Sequence, residues 1–263
     1  MATLTVATWN VNSIKIRQDG VADWLKTVAP DVVALQELKC ETKAFPVAPF
    51  EDLGYNCAVH GQKSYNGVAL LSKFPIEDVT TTLPGDGDDG QARYIEGVIS
   101  LDGQALRIAS IYLPNGNPVD SDKYAYKLVW MRRLKEHARA VLAHEEMLVL
   151  AGDYNVIPSE RDVHDPEAWR GDALFTLETR RAFREIVHLG LTDALRACDD
   201  AEDRYTFWDY QGGAWPKNHG IRIDHLLLSP EAAARLTGCR IDRGRRGGEK
   251  PSDHVPVVAE FRI

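Results

Sequence analysis

Nowhere in this 263-residue chain does an apolar run approach the roughly 18 residues that a membrane-spanning helix needs. The N-terminus, MATLTVATWNVNS, has no basic segment leading into a long apolar stretch, so nothing in it reads as an export signal and a cytoplasmic protein is expected. Cysteine is scarce and scattered. Cys40, Cys57, Cys198 and Cys239 form no C-x-x-C pair, which fits neither a zinc knuckle nor a dense disulfide framework and leaves reduced thiols as the reading. There is no G-x-G-x-x-G after a strand and no G-x-x-x-x-G-K-[ST], so dinucleotide and P-loop nucleotide binding lose their main support. His144-Glu145 lacks the second histidine of H-E-x-x-H and reads as solvated surface. An excess of positive charge is missing too: 31 Lys+Arg against 39 Asp+Glu give a net charge of −8, which argues against coating nucleic acid by bulk charge. A local basic face is still open. The densest candidate is RIDRGRRGGEK at 240–250, where Arg243, Arg245 and Arg246 could meet phosphate, although a solvated loop explains the same charges.

What is present is a normal globular composition, 44% apolar and 27% charged with both signs interspersed. That is enough to bury a full core without metal or disulfide staples. No linker or low-complexity tract divides the chain, so residues 1–263 read as a single domain. Short β-rich runs alternate with helical stretches, the pattern of an α/β or layered domain. Strands are expected at 4–9, 32–35, 67–71, 94–101, 106–113, 147–151, 205–208, 223–228 and 255–261. The clearest helix is 122–147, where Tyr124, Leu128, Met131, Leu134, Ala138, Val141 and Leu142 recur along one face. Shorter helices are expected at 20–28, at 179–189 with Gly190 as a stop, and at 230–236 capped by Ser229. Turn chemistry marks 84–90 (PGDGDDG) and 114–121 (PNGNPVDS) as loops. Trp9-Asn10-Val11 and Tyr154-Asn155-Val156 form a faint internal echo.

Polar residues repeatedly stand where apolar strands stop. Asn10 and Asn12 follow LTVATW, Glu37 follows VVALQ, Tyr112 sits in IASIYLPNG, Asp153 and Asn155 follow MLVLAG, Asp224 lies in GIRIDHLLLS, and Asp253-His254 open the last strand. Any one alone reads as an ordinary turn residue. Together they make a coherent chemistry, because strand ends and their loops are where a rigid sheet assembles a site. Glu37, with Asn10 and Asp253, offers hard oxygen ligands of the kind that suit Mg²⁺. His254 beside an acid such as Asp224 is a way to orient and charge an imidazole. Asp153 could hold a water, Asn155 could donate to an oxyanion, and Tyr112 could lend a phenol. That set describes metal-assisted hydrolysis of a phosphate ester.

The strings TWNVNS, LQELK, HGQKSYNGVALLS, IYLPNG, GDYN, YTFWDY, GIRIDHLLLS and KPSDHVPV, in that order over residues 8–258, resemble the exonuclease III family of DNA-repair nucleases within the endonuclease/exonuclease/phosphatase superfamily. The resemblance implies a four-layered αββα sandwich of two facing mixed sheets, with the site at one end. It implies Glu37 as principal ligand of Mg²⁺, or of Mn²⁺ in its place, with Asn10 and Asp253 near the metal and Asp153 with Asn155 as an alternative site. Asp153 would orient or deprotonate the attacking water, and Asn155 would hold Asp153 and a phosphate oxygen. His254, oriented by Asp224, would bind the scissile phosphate, which Tyr112 would also touch. Asn12 stands where some relatives carry an aspartate, so the implied metal shell is less anionic; His164 and His225 carry no implied role. The implied substrate is double-stranded DNA, cut 5′ to abasic sites or trimmed at 3′ ends by a monomeric enzyme, with Asn115, Phe207, Trp208 and Ile221 around an extrahelical abasic sugar. Two readings compete: a superfamily phosphodiesterase or phosphatase for a lipid or inositol phosphate, which typically carries a second histidine where Tyr112 stands, and a catalytically silent DNA-binding relative, which would have lost a residue of the set.

Overall fold

The computed structural model describes residues 2–85, 90–101 and 103–263. Residues 86–89, most of the acidic loop expected at 84–90, lie outside the described residues. Among the described residues, twelve strands form two six-stranded sheets. They are β1 (Thr3–Asn10), β2 (Val32–Gln36), β3 (Asn56–His60), β4 (Val68–Ser72), β5 (Ile76–Thr80), β6 (Tyr94–Leu101), β7 (Gln104–Tyr112), β8 (Met147–Asp153), β9 (Thr192–Asp193), β10 (Asp224–Leu228), β11 (Leu236–Ile241) and β12 (Val257–Arg262). One sheet runs β11-β12-β1-β2-β4-β3 and the other β5-β6-β7-β8-β10-β9. Each is antiparallel except for one central parallel pair, β1–β2 and β7–β8. A helix makes each of those crossovers, Ile14–Val28 in the first and Asp122–Leu142 in the second, as a parallel connection requires.

Side-chain alternation sorts the apolar residues into three layers of packing. Leu4 and Val6 of β1, Val32 and Ala34 of β2, Leu106 and Ile108 of β7, and Met147, Val149 and Ala151 of β8 face inward and fill the space between the sheets. The intervening residues face out. Ala7, Trp9, Val33 and Leu35 pack beneath Val21, Trp24 and Leu25 of the first helix. Ala109, Ile111, Leu148 and Leu150 pack beneath Trp130, Met131 and Leu134 of Asp122–Leu142 and Phe183 and Ile186 of Leu177–Val187. The result is the expected four-layered αββα sandwich.

The inward rows continue past the last apolar residue. Asn10 extends Leu4-Val6-Thr8, Tyr112 extends Leu106-Ile108-Ser110, Asp153 extends Met147-Val149-Ala151, and Asp224 begins the row Asp224-Leu226-Leu228. Those strand ends lie at one end of the sandwich: Asp153 pairs with Tyr112 on one side and Asp224 on the other. Core pattern and site placement are therefore one pattern read to its end.

Several expected boundaries shift. The long helix stops at Leu142, five residues short of the expected end, and Pro230–Ala233 is a single turn because Leu236 enters β11. The expected strand 205–208 is not one. Its backbone instead makes isolated bridges from Phe207 to Ile221 and His254, and Trp208 N–H donates to the carbonyl of Asp253, so the segment is strung across the site rather than laid into a sheet. The Asn-Val echo is not a product of the sheet symmetry. Matching the two crossovers pairs β1 with β7 and β2 with β8, whereas Asn10 ends β1 and Asn155 follows β8.

Candidate active site

Glu37 sits one residue past β2 in left-handed backbone, φ 53°, and Asn12, Lys39 and Asn155 share that uncommon conformation around it, at 43°, 53° and 48°. Such backbone is held only where the surroundings over-determine it. Both carboxylate oxygens of Glu37 are engaged: the Tyr112 hydroxyl donates to Oε1 at 2.6 Å, Asn10 Nδ2 donates to the same oxygen at 3.2 Å, and Lys39 Nζ lies 2.9 Å from Oε2. Burial pushes the Glu37 carboxyl up, but the Lys39 charge and the Tyr112 hydrogen bond outweigh it and hold the group below its ordinary range. Tyr112, buried against Glu37 and Asp153, is driven well above 10 and stays a proton donor.

Asn10 Nδ2 also donates to Asp153 Oδ2 at 2.9 Å, so one amide ties Glu37 to Asp153. The other Asp153 oxygen accepts the backbone N–H of Asn155 at 2.9 Å. His254 completes the array, with Nδ1 2.9 Å from Asp224 Oδ2 and Nε2 3.8 Å from Asp153 Oδ2. Burial opposes a charge on His254, yet Asp224 and Asp153 raise it to about 10, which makes it an imidazolium at neutral pH. Burial, with Asp224 close by, lifts Asp153 to about 7 against the pull of His254. A carboxylate poised near neutrality beside a fixed cation is suited to accept a proton from water next to a charge that can meet an oxyanion.

Asp253 accepts from Asn12 Nδ2 at 3.0 Å and so joins the Glu37 side of the site through Asn12, whose Oδ1 accepts from Lys39 at 2.5 Å. Asn155 Nδ2 donates to the Leu113 carbonyl and its Oδ1 accepts from Asn115 Nδ2 at 3.2 Å, so its backbone, not its side chain, holds Asp153. Asp153, Asp224 and His254 present ligand atoms within 4.8 Å of one another. His254 already fills that cluster as the cation. Glu37, Asn10 and Asp253 supply only hard oxygen donors besides the Asn amide nitrogen, and the ammonium of Lys39 on Glu37 shows that the carboxylate attracts positive charge, so these residues fit a divalent cation of the Mg²⁺ class.

A cavity of about 200 Å³ opens beside the array, with Glu37, Tyr112, Asn115, Asp153, Asn155, Asp253 and His254 on its polar side. Phe207 and Ile221 line its apolar side as expected. Trp208 does not. It is fully buried against Tyr205, Ala214 and Val255, because its backbone faces the opposite way from its neighbour Phe207. Trp169, Leu174 and Ile223 take the place expected of it, and Asn117, Asp172 and Asp209 join them. Trp169, Asp172 and Leu174 come from a segment with no motif; Lys39 stood in LQELK, where its spacing from Glu37 was a usable signal. Lys127 was hidden on the buried face of its helix. Its Nζ donates to the carbonyls of Asn115 at 3.0 Å and Asn155 at 2.6 Å, clamping two site loops, and burial lowers it to about 7. His225 lies buried under Arg222, away from the cavity.

The arginines expected to form a basic face are largely committed elsewhere. Arg246 is buried with Nη2 on the Trp208 carbonyl, Arg245 pairs with Asp23 at 2.7 Å, and Arg243 lies over Trp208 and Trp215. Arg93 and Lys123 instead line a cleft of about 470 Å³ that shares Asn115 and Asn117 with the catalytic cavity.

A family model described as the Endonuclease/Exonuclease/phosphatase family matches residues 7–254. The chain belongs to that family. Among relatives within reach, exodeoxyribonuclease III of Haemophilus influenzae is 31% identical over 97% of this chain and 98% of its own. An AP endonuclease structure from Archaeoglobus fulgidus superposes with a TM-score of 0.93 at 39% identity, covering 99% of this chain and 100% of that one. A structure of the 3′ phosphatase NExo from Neisseria, bound to a product DNA hairpin, does so with the same TM-score, identity and coverage. The family match spans every residue of the array from Asn10 to His254.

Proposed function

We propose that this chain is a metal-dependent DNA-repair phosphodiesterase that cuts duplex DNA 5′ to abasic sites and trims 3′ ends to leave 3′-hydroxyls. The observation that carries the reading is the array Asp224–His254–Asp153 meeting Asn10 and Glu37 at one mouth of the sandwich, beside a cavity with one polar and one apolar side. Asp153 accepts a proton from the attacking water, held in place by Asn10 and the Asn155 N–H. His254, kept protonated by Asp224, places its Nε2 hydrogen on a phosphate oxygen as charge builds there. Tyr112 keeps its proton and fixes Glu37, which with Asn10 and Asp253 would hold Mg²⁺, Mn²⁺ serving in its place. The chemistry such a cation supplies is neutralisation of charge on the leaving 3′ oxygen.

The apolar side, Phe207, Ile221, Trp169 and Leu174, suits a deoxyribose stripped of its base. Such a sugar has lost its stacking and swings out of the duplex at lower cost than an intact nucleotide. All of these groups come from one chain, which supports a monomer, and the four free cysteines support a reducing, cytoplasmic setting. The test is product analysis on one duplex carrying an abasic-site analogue and one with a recessed, mismatched 3′ end, set beside a lipid and an inositol phosphate. Metal-dependent cleavage 5′ to the analogue is expected; turnover of the lipid or inositol ester alone would overturn the reading.

A further inference from the structure

We propose that a second cavity, on the far side of Phe207 and Ile221 from the catalytic pocket, is a nucleobase subsite that receives the base of an intact 3′-terminal nucleotide. The proposal rests on the nuclease reading above and extends it from base-free sugars to whole nucleotides. The second cavity measures about 220 Å³ and shares Trp169, Phe207, Asp209 and Ile221 with the first, so the two adjoin. Its own lining adds His164, Gln211 and His219.

Two features make it a place for a flat heteroaromatic ring. His164 and His219 are already stacked face to face, ring centres 4.7 Å apart and planes 8° from parallel. One ring of the stack is anchored: His164 Nδ1 lies 3.2 Å from the Gly220 carbonyl, which also accepts the His164 backbone N–H at 3.1 Å. A carbonyl only accepts, so Nδ1 carries the hydrogen. Gln211 and Asp209 bring an amide and a carboxylate to the rim, donors and acceptors for the edge of a base.

The order of groups from the catalytic cavity to its neighbour follows the order within a nucleotide. His254 handles the phosphate, and the Phe207 ring stands edge-on to it with centres 5.0 Å apart. The stacked imidazoles lie beyond Phe207, on the side of the second cavity. Phosphate, deoxyribose and base occur in that sequence in every nucleotide, with one sugar between the outer two. Stacking is also indifferent to base identity, which is what trimming of mixed 3′ ends requires.

His219 is exposed, so His219→Ala removes one imidazole without opening the core, and a thermal melt checks that the fold is intact. Single-turnover removal of a 3′-terminal deoxyadenosine nucleotide is expected to slow by roughly tenfold, the effect of losing one base stack. Cleavage 5′ to a tetrahydrofuran abasic analogue is expected to stay within about twofold, since that substrate presents no base. Binding gives a readout apart from turnover: dAMP should bind the wild-type chain more tightly than deoxyribose 5-phosphate, and His219→Ala should narrow the gap. Equal losses on the two DNA substrates, or no preference of the wild type for dAMP, would overturn the subsite. A wild-type chain that cuts neither DNA yet prefers dAMP would instead overturn the nuclease reading and leave the subsite standing.

Discussion

His254 lies between two carboxylates, and its charge decides what each can do. With Asp224 at 2.9 Å and Asp153 at 3.8 Å it stays protonated up to about pH 10, while Asp153 takes up a proton near pH 7. Turnover should therefore rise with pH as Asp153 ionises, with a midpoint near 7, and fall again only as His254 loses its proton near 10. Asp153→Asn should abolish the acid limb, and both it and His254→Ala should lower turnover by roughly 100-fold or more while duplex affinity changes little, as for groups acting mainly in the transition state. A loss carried mostly by weaker DNA binding would make them positioning residues. Glu37→Gln keeps the shape and the Tyr112 contact but removes the charge that attracts the cation. That variant, and the wild type in excess chelator, should each fall by roughly 100-fold or more against an abasic duplex, measured with Mg²⁺ titrated back.

Among the elements, those with long alternating apolar rows were legible in the sequence, and so were the polar residues that end the rows. Tyr94–Leu101 was read to the residue, whereas β3, β5, β9 and β11 escaped because they are short or lie with most side chains in partial or full exposure, as in β5. Aromatic runs are ambiguous in the same way. YTFW reads as a strand, but its bonds go to Ile221 and Asp253, partners remote in sequence, so neither its path nor the burial of Trp208 could be read locally. Arg222 shows a further limit: it stood inside GIRID, yet its role depends on elements far off in the chain. Its guanidinium reaches Asp162 and Asp193, both at 2.7 Å, and Nη1 lies 3.0 Å from His225 Nδ1, pinning the loop behind the cavity to β9 and β10. Arg222→Met leaves Asp162 with Arg196 as its one remaining cation and Asp193 with backbone N–H donors alone, and should lower stability by about 3 kcal/mol by urea unfolding. Burial, with Arg222 adjacent, also lowers His225 to about 4. As pH falls below its ordinary 6.5 the unfolded chain takes up a proton that the folded chain refuses, so the contribution of His225 to stability falls by about 3 kcal/mol between pH 6.5 and 4. Asp162 and Asp193, held below their ordinary 3.8, withdraw their own contribution only at lower pH. Asp153, lifted to about 7, takes up its proton in the folded chain over the same range and offsets that loss, so the His225 contribution is read as the difference between the wild type and His225→Gln in urea unfolding at pH 7 and pH 4.5.

For the molecule as a whole, the net charge of −8 sets a problem that any DNA-cleaving enzyme must solve locally. Affinity for a duplex comes largely from cations that replace condensed counterions along the phosphates, and that contribution appears as a steep dependence on salt. In the arginine-rich stretch before KPSDH, Arg246 is buried under a backbone carbonyl and Arg245 is paired with Asp23, so two of its arginines are engaged within the protein. The structure puts other cations beside the site. Arg93 lies 4.9 Å over the Tyr112 ring with Nε on Gln91, and Lys123 shares its cleft, which continues into the catalytic cavity through Asn115 and Asn117. Arg17, Arg245 and Lys250 line a groove of about 440 Å³ that also carries Asp19, Asp23 and Glu249 and includes Ser252, next to Asp253. Affinity for an abasic duplex, measured with the chelated protein so that no cutting intervenes, should therefore fall steeply between low and physiological salt. Arg93→Ala and Lys123→Ala should each weaken binding and reduce the slope of log K against log salt by about 1. Arg246→Ala should lower the melting temperature instead and leave the slope unchanged. A flat salt dependence, or a slope that responds to Arg246 and not to Arg93 and Lys123, would return phosphate binding to the arginine-rich stretch.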